Sequence, residues 1–205
     1  MRTDGDGPVV EDTWRGVHRV RIPVASEGPK GTIVFDWKSI VHASRSNELC
    51  LTLGYNTAVL STWLRVKGIR NVINMDGIEW RRSKWSNTAR LWFWLNDQIA
   101  CRIGDHLVAD NPGIEALLRK RVDAAKITMI PYGAARVAQA PTAPLASMGL
   151  EPGRFLTLIA RPEPENSVLE LVTAFSRTKR PVKLVVLGNF LPDHEFHRSV
   201  RAAAS

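Results

Sequence analysis

The sequence is poor in cysteine and has no long apolar run. Cys50 and Cys101 are the only cysteines among 205 residues, too few for a disulfide framework and typical of buried thiols in a reducing compartment. No apolar stretch approaches the ~20 residues that a membrane-spanning helix needs. The polar start, rich in Gly and Asp, does not resemble a signal peptide. We therefore expect neither a secreted disulfide scaffold nor an integral membrane protein.

The sequence also lacks the common phosphate-binding and metal-binding motifs. It contains no Gly-x-Gly-x-x-Gly and no Walker-type loop, which argues against a dinucleotide-binding or P-loop protein. The five histidines are scattered, and no set of His, Cys and Asp has the spacing of metal ligands. His194 and His197 lie one helical turn apart, and we interpret them as part of a solvated terminal helix. We expect no metal and no cofactor.

What the sequence has in excess is positive charge. Lys and Arg number 28 against 20 Asp and Glu, which gives a net charge of +8 and a pI near 10.0. Such a balance indicates an anionic partner: a nucleotide, a phosphorylated lipid, a membrane surface or a nucleic acid. An apolar fraction of 44% over this length is enough to build a globular core.

Apolar runs and helical patterns alternate along the first two thirds of the chain. Strands are predicted at 17–22, 49–53, 72–75, 107–109 and 126–130, and helices at 33–44, 56–66, 87–103 and from Asn111-Pro112 onward. This alternation predicts an α/β fold, a Rossmann-like parallel sheet with helices on both faces. The polar residues 1–13 are expected to be a disordered start, and residues 14–133 to form the N-terminal domain.

A second α/β unit follows a change in composition. Residues 134–152 are rich in Ala, Pro, Thr and Ser without periodicity, as in an interdomain linker. The alternation then restarts with a strand at 155–160, a helix that carries Val168 and Phe175 on one face, and a strand at 182–187. Residues 153–205 are therefore expected to be the incomplete start of a second Rossmann-like domain.

The first segment with chemical character follows the strand at 72–75. Asp76-Gly77 marks a turn at the strand edge where open α/β sheets bind their ligands. The turn is followed by charged residues that alternate with tryptophan: Glu79, Trp80, Arg81, Arg82, Lys84 and Trp85. This composition is too polar for a core, and exposed tryptophan beside arginine indicates contact with a ligand or a partner.

The second such segment, Arg161 to Asn166, joins a strand end to a helix start. A helix N-terminus offers unpaired N–H groups, and Arg161 adds a bidentate donor, so together they suit a diphosphate. Alternatively, Glu165 and Asn166 cap the helix while Arg161 balances the charge of Glu163 and Glu165. The spacing alone leaves both interpretations open.

Several segments together resemble a known family. They are Asn74–Trp85, Ala109-Asp110, Ile130–Gly133, Ala160–Asn166 and Leu187–Phe190. They resemble successive motifs of bacterial family-4-type glycosyltransferases, and more narrowly the subgroup with the rhamnosyltransferase-type N-terminal domain. The match covers roughly residues 14–190. The resemblance implies a GT-B architecture, in which an acceptor-side N-terminal domain and a donor-side C-terminal domain, both Rossmann-like, face a cleft.

The resemblance also implies roles for individual residues. Asp76 would be the catalytic carboxylate at the strand end that faces the donor sugar. Arg161 matches the arginine that contacts the donor diphosphate, Asn166 stands where many relatives have a phosphate-binding lysine, and Gly188 lies close to the nucleotide. Glu165 belongs to the same donor-binding loop. The acceptor side would be lined by Glu79, Trp80, Arg81 and Lys84.

The implied activity is glycosyl transfer. A sugar would move from a nucleoside-diphosphate donor to a saccharide or lipid-linked acceptor in cell-surface polysaccharide biosynthesis, in the cytoplasm at the inner face of the cell membrane. A helix terminus and basic side chains stabilise the departing diphosphate, so no metal is required. The first strand of the family and its Glu-x7-Glu motif are not among the matching segments. We therefore expect this sequence to be the middle part of a longer enzyme.

A second hypothesis is a non-catalytic, degenerate GT-B module. The basic and aromatic stretch from Trp80 to Trp94 would then bind an anionic membrane surface or a partner chain. Nucleic-acid binding is not expected, because it needs a groove or a stacking platform that nothing else in the sequence supplies.

Overall fold

The computed structural model describes residues 1–204, and the chain divides into two compact units, Met1–Ala134 and Ala135–Ser205. The elements of the first unit are, in chain order, β1 (Arg2–Asp4), β2 (Val10–Trp14), β3 (Val17–Val24), α1 (Gly28–Ala43), β4 (Cys50–Leu53), α2 (Ala58–Val66), β5 (Asn71–Asn74), α3 (Asn87–Ile103), β6 (His106–Ala109), α4 (Pro112–Leu118) and β7 (Ile127–Met129). Two short 3-10 helices, Glu79–Arg81 and Ala124–Lys126, lie in the loops.

A four-stranded parallel sheet is the centre of the first unit. Its strands lie in the order β4-β5-β6-β7 and alternate with helices, which confirms the predicted α/β, Rossmann-like fold. The helix boundaries follow local signals. The Ser86 hydroxyl accepts a hydrogen bond from the Ala89 amide at the start of α3. The Asn111 side chain accepts one from the Ile114 amide at the start of α4, with Pro112 in the first turn.

The core lies on one face of this sheet. Ile73 and Leu107, on neighbouring strands, are fully buried against Ala58 of α2, Ala100 of α3 and Leu118 of α4. The strand order explains why three helices share one side. Because the strands pair in chain order, each right-handed crossover carries its helix to the same face.

The opposite face of the sheet is open among the described residues. Leu51 and Leu53 of β4 point to it and are 61% and 77% exposed, and Thr128 of β7 is exposed as well. The expectation of helices on both faces is therefore not met in the described part of the chain. Parallel sheets are normally covered on both faces, so this face is an unusually exposed apolar surface for such a sheet.

The opening residues form strands where a disordered start was expected. β1 pairs in parallel with β3, and β2 pairs with it in an antiparallel hairpin. Polar side chains that suggested disorder pair with each other between β2 and β3. Asp12 accepts two hydrogen bonds from Arg19 at 2.8 Å and lies 2.6 Å from Arg21. The hydrogen bond from Arg19 lowers the pKa of the Asp12 carboxyl.

The second unit contains a two-stranded parallel sheet with helices. Its elements are α5 (Ala143–Ser147), β8 (Phe155–Ile159), α6 (Val168–Ser176), β9 (Lys183–Leu187) and α7 (Glu195–Ala202). Val168, Val172 and Val200 form its buried core, which joins α6 to α7. The short helix α5 lies within the stretch that was expected to be an irregular linker.

The last helix is more closely packed than its sequence suggested. His197 is buried, and its Nδ1 accepts a hydrogen bond from the Leu191 amide at 2.9 Å. The His194 ring stacks on it with centroids 4.1 Å apart. The interpretation of both histidines as part of a solvated helix is therefore wrong for His197, because α7 packs its inner side against α6 through Val200.

No helix within residues 1–204 is long and apolar enough to cross a membrane.

The one-sided core leads to a prediction for two leucines of the same sheet. Leu107→Ala is expected to lower the free energy of unfolding by about 2–5 kcal/mol, because it leaves a cavity in a fully packed site. Leu53→Ala, on the open face, is expected to change it by less than about 0.5 kcal/mol. Urea denaturation of both variants measures the difference. Equal losses would mean that the open face is covered in solution.

Candidate functional site

The candidate site of the first unit lies at the carboxyl edge of the sheet. All four strands end at this edge because they are parallel, and polar or aromatic residues follow each of them: Tyr55, Asp76, Asp110 and Tyr132. In open α/β sheets this edge is where ligands bind.

Asp76 lies at the end of β5 in an unusual backbone conformation. Its φ is +44°, in the left-handed region that few residues other than Gly, Asn and Asp adopt. The Asp76 amide donates to the Asn74 side-chain oxygen at 3.1 Å, which holds the turn. The carboxylate itself is exposed at the sheet edge, where a ligand can reach it.

The next carboxylate, Glu79, is buried in the loop after β5. One of its oxygens accepts a hydrogen bond from Arg82 at 2.6 Å, and the other accepts one from the Trp85 indole N–H at 2.9 Å. Both oxygens are thus used to fold the loop on itself. Glu79 was predicted to line the acceptor side; in the structure it positions Arg82 and Trp85 within the loop.

The structure adds Tyr55 to this site, a residue that the sequence analysis missed. Tyr55 follows β4, is almost completely buried, and accepts a hydrogen bond on its hydroxyl from the Glu79 amide at 2.9 Å. Burial raises the pKa of Tyr55 well above its usual range, so the hydroxyl stays protonated. The only sequence signal was an aromatic residue directly after the Gly54 turn. Through its hydrogen bond with the Glu79 amide, Tyr55 ties the end of β4 to the loop after β5.

Trp80 and Trp85 serve as anchors within the loop. Both are partly buried, although tryptophan exposure was expected, and Trp80 packs on the main core. The Trp85 ring lies 5.2 Å from the Phe93 ring of α3, and the Trp80 carbonyl accepts a hydrogen bond from Arg90 Nε at 3.0 Å. The loop is therefore fastened to α3 at two points.

Two cations lie over these anchored rings. The Arg81 guanidinium is 4.8 Å from the centroid of Trp80, and the Lys84 ammonium is 5.0 Å from that of Trp85. Both residues are exposed. Cation–π contacts hold long side chains in place, so Arg81 and Lys84 have defined positions on the loop that follows Asp76.

In the second unit the structure brings three predicted residues together at the ends of β8 and β9. Arg161 is exposed directly after the β8 end, and its carbonyl accepts a hydrogen bond from the Asn166 side chain at 2.8 Å. Gly188, after β9, touches the same turn. A Cβ atom at Gly188 would lie 2.6 Å from the Ala160 carbonyl oxygen, so no side chain fits there without movement of the backbone.

The start of α6 shows which residue caps this helix. Ser167, with φ of +52°, is the N-cap residue, and its side chain makes no capping hydrogen bond. Neither Glu165 nor Asn166 occupies the N-cap position of α6, because both belong to a short 3-10 helix, Pro164–Asn166, that precedes it. Glu165 is exposed in the same loop. Within residues 1–204, no group of three or more His, Cys, Asp or Glu could hold a metal ion.

The fold and the strand-end loops define the first unit as a Rossmann-like α/β domain. Residues 49–135 match the family model of a domain of unknown function, DUF1972, a domain found at the N-terminus of glycosyltransferases of the GT-B type. The match covers β4 to β7 and the loops at their carboxyl ends. None of the curated proteins compared with the chain matches it.

The match supports the resemblance at a coarse level. It associates the four-stranded sheet, and with it Asp76 and the anchored loop, with glycosyltransferases. It includes none of the helices and strands of the second unit, and it names no sugar, donor or acceptor. The roles of the individual residues therefore remain predictions.

Tyr55→Phe tests the hydrogen bond that ties β4 to the loop. We expect the free energy of unfolding to fall by about 1–3 kcal/mol, because the buried Glu79 amide loses its acceptor. Tyr132→Phe is the matched control, since Tyr132 is the other tyrosine of the chain and is exposed at the same sheet edge. Urea unfolding measures both, and equal effects of the two variants would contradict the role given to Tyr55.

Proposed function

We propose that this chain belongs to a glycosyltransferase that moves a sugar from a nucleoside-diphosphate donor to a saccharide or lipid-linked acceptor in cell-surface polysaccharide biosynthesis. The observation that carries the proposal is the match of residues 49–135 to a domain found at the N-terminus of glycosyltransferases. The motif resemblance favours a hexosyltransferase, with rhamnose as the transferred sugar. The proposed place of action is the cytoplasm, at the inner face of the cell membrane.

The first unit would bind the acceptor. Asp76 is the proposed catalytic carboxylate, because it is exposed at the strand edge and held in a fixed turn. Arg81 and Lys84 would contact the acceptor from the loop, where the rings of Trp80 and Trp85 hold them. Glu79 would contribute by keeping that loop in shape.

The second unit would bind the nucleoside diphosphate. Arg161 would donate to the diphosphate oxygens, and the first turn of α6 would add its N–H groups. Asn166 would hold the turn through the Arg161 carbonyl, Gly188 would let the backbone approach closely, and Glu165 would accept hydrogen bonds from donor hydroxyls. Positive groups of this kind stabilise the charge of a leaving diphosphate without a metal.

A thermal-shift titration with dTDP, UDP and GDP tests the donor site. A ligand that binds only the folded state raises the melting temperature, so we expect one nucleoside diphosphate to raise it selectively. Arg161→Ala is expected to weaken that binding by about 1.5–3 kcal/mol in calorimetry. Arg177→Ala, at the far end of α6, serves as the control. A folded protein with no shift would favour the non-catalytic module instead.

Asp76→Asn separates a catalytic role from a structural one. Asn also adopts the left-handed conformation, so we expect the variant to keep its stability and its nucleotide affinity. Loss of the carboxylate is expected to slow transfer by roughly 10² or more, as for the loss of a general base. Release of nucleoside diphosphate from the donor measures transfer. A parallel loss of stability would make Asp76 a turn residue only.

A further inference from the structure

The outward side of α3 presents an apolar surface that the core does not use. Leu91, Trp94 and Leu95 are 56%, 43% and 43% exposed. Their spacing of i, i+3 and i+4 puts them on one side of the helix. The inward side is already packed, with Asn96 and Ala100 buried. We call the surface of Leu91, Trp94 and Leu95 the α3 patch.

Positive charge borders the α3 patch, and no carboxylate lies on it. Asp97 is the only acidic residue of α3, and it is buried and paired with Arg121. Arg90 and Arg102 are exposed towards the two ends of the helix. Arg81 of the anchored loop adds a third exposed cation next to the start of α3.

This combination identifies the chemistry of the partner. Leucine and tryptophan enter the boundary between headgroups and acyl chains, and arginine binds lipid phosphates, when a helix lies flat on a bilayer. Anionic lipids attract basic residues around such a helix. A nucleic acid would meet the arginines but leave the leucines without a partner. We propose that the α3 patch docks on the surface of an anionic lipid bilayer.

Docking through α3 would have a consequence for the neighbouring loop. The loop that carries Arg81 and Lys84 is fastened to α3 through Arg90 and Phe93, so docking through α3 would hold this loop near the bilayer. A lipid-linked acceptor would then reach the loop directly. This consequence rests on the proposed glycosyltransferase function, whereas the docking itself does not.

Vesicle sedimentation tests the docking. The purified chain is mixed with vesicles of phosphatidylglycerol and phosphatidylcholine, or of phosphatidylcholine alone. We expect binding to the anionic vesicles, a blue shift of tryptophan fluorescence, and weaker binding at higher salt. Absence of binding to the anionic vesicles overturns the proposal.

Trp94→Glu locates the surface. It removes an interfacial side chain and adds a repelled charge, so vesicle binding is expected to fall by about tenfold or more. Trp14→Glu is the control, because Trp14 on β2 is 52% exposed. Equal losses in both variants, or a loss in neither, overturn the assignment to α3. Circular dichroism checks that each variant folds. If Trp94→Glu does not fold, Arg102→Gln on α3 replaces it as the test variant, and Arg177→Gln serves as its control.

Two further measurements separate the alternatives. Light scattering after size exclusion detects self-association, and a dimer that Trp94→Glu dissociates, without vesicle binding, would make the α3 patch a surface for a second copy and overturn the proposal. The nucleoside-diphosphate shift is measured on the same variants. We expect Trp94→Glu to keep that shift while losing vesicle binding, so that failure of the docking and failure of the donor site give different results.

Discussion

The handedness of the connections between parallel strands is the constraint on which the first unit depends. With β4 to β7 paired in chain order, right-handed crossovers put α2, α3 and α4 on one face and all strand ends at one edge. The core therefore forms on one side only, around Ile73 and Leu107. The same constraint brings residues that are distant in sequence to a common edge. A site and an open face are both consequences of a single topological rule.

Within that frame, one buried carboxylate organises the loop at the edge. Glu79 uses both oxygens and its amide to hold Arg82, Trp85 and Tyr55. A buried charge is costly unless it is paired and hydrogen-bonded. Both carboxylate oxygens of Glu79 have a partner, and these contacts fix a loop that has little regular structure. Rigid placement matters for chemistry, because groups that act on a ligand must be held in position beforehand. The polar composition of this loop is thus a means of ordering it.

The sequence predicted those features that depend on neighbours along the chain. The helix at Asn87–Ile103, the cap at Asn111 and the strands of the parallel sheet follow from spacing and from single residues. It did not predict features that depend on distant partners. The contact of Tyr55 with Glu79 spans loops after two strands, and β1 is a strand only because β3 pairs with it. Residue type could place Asp76, Arg161 and Gly188 at strand ends, whereas the burial of Trp80 and His197 required the packed fold.

The pairing of β4 to β7 in chain order also bears on how the first unit folds. Each strand pairs with the next strand along the chain, so each pairing closes a loop that contains one helix. A chain that leaves the ribosome with its N-terminal part first can therefore add one strand and one helix at a time, without waiting for a distant segment. The order of the strands in the sheet is thus the order in which they are translated.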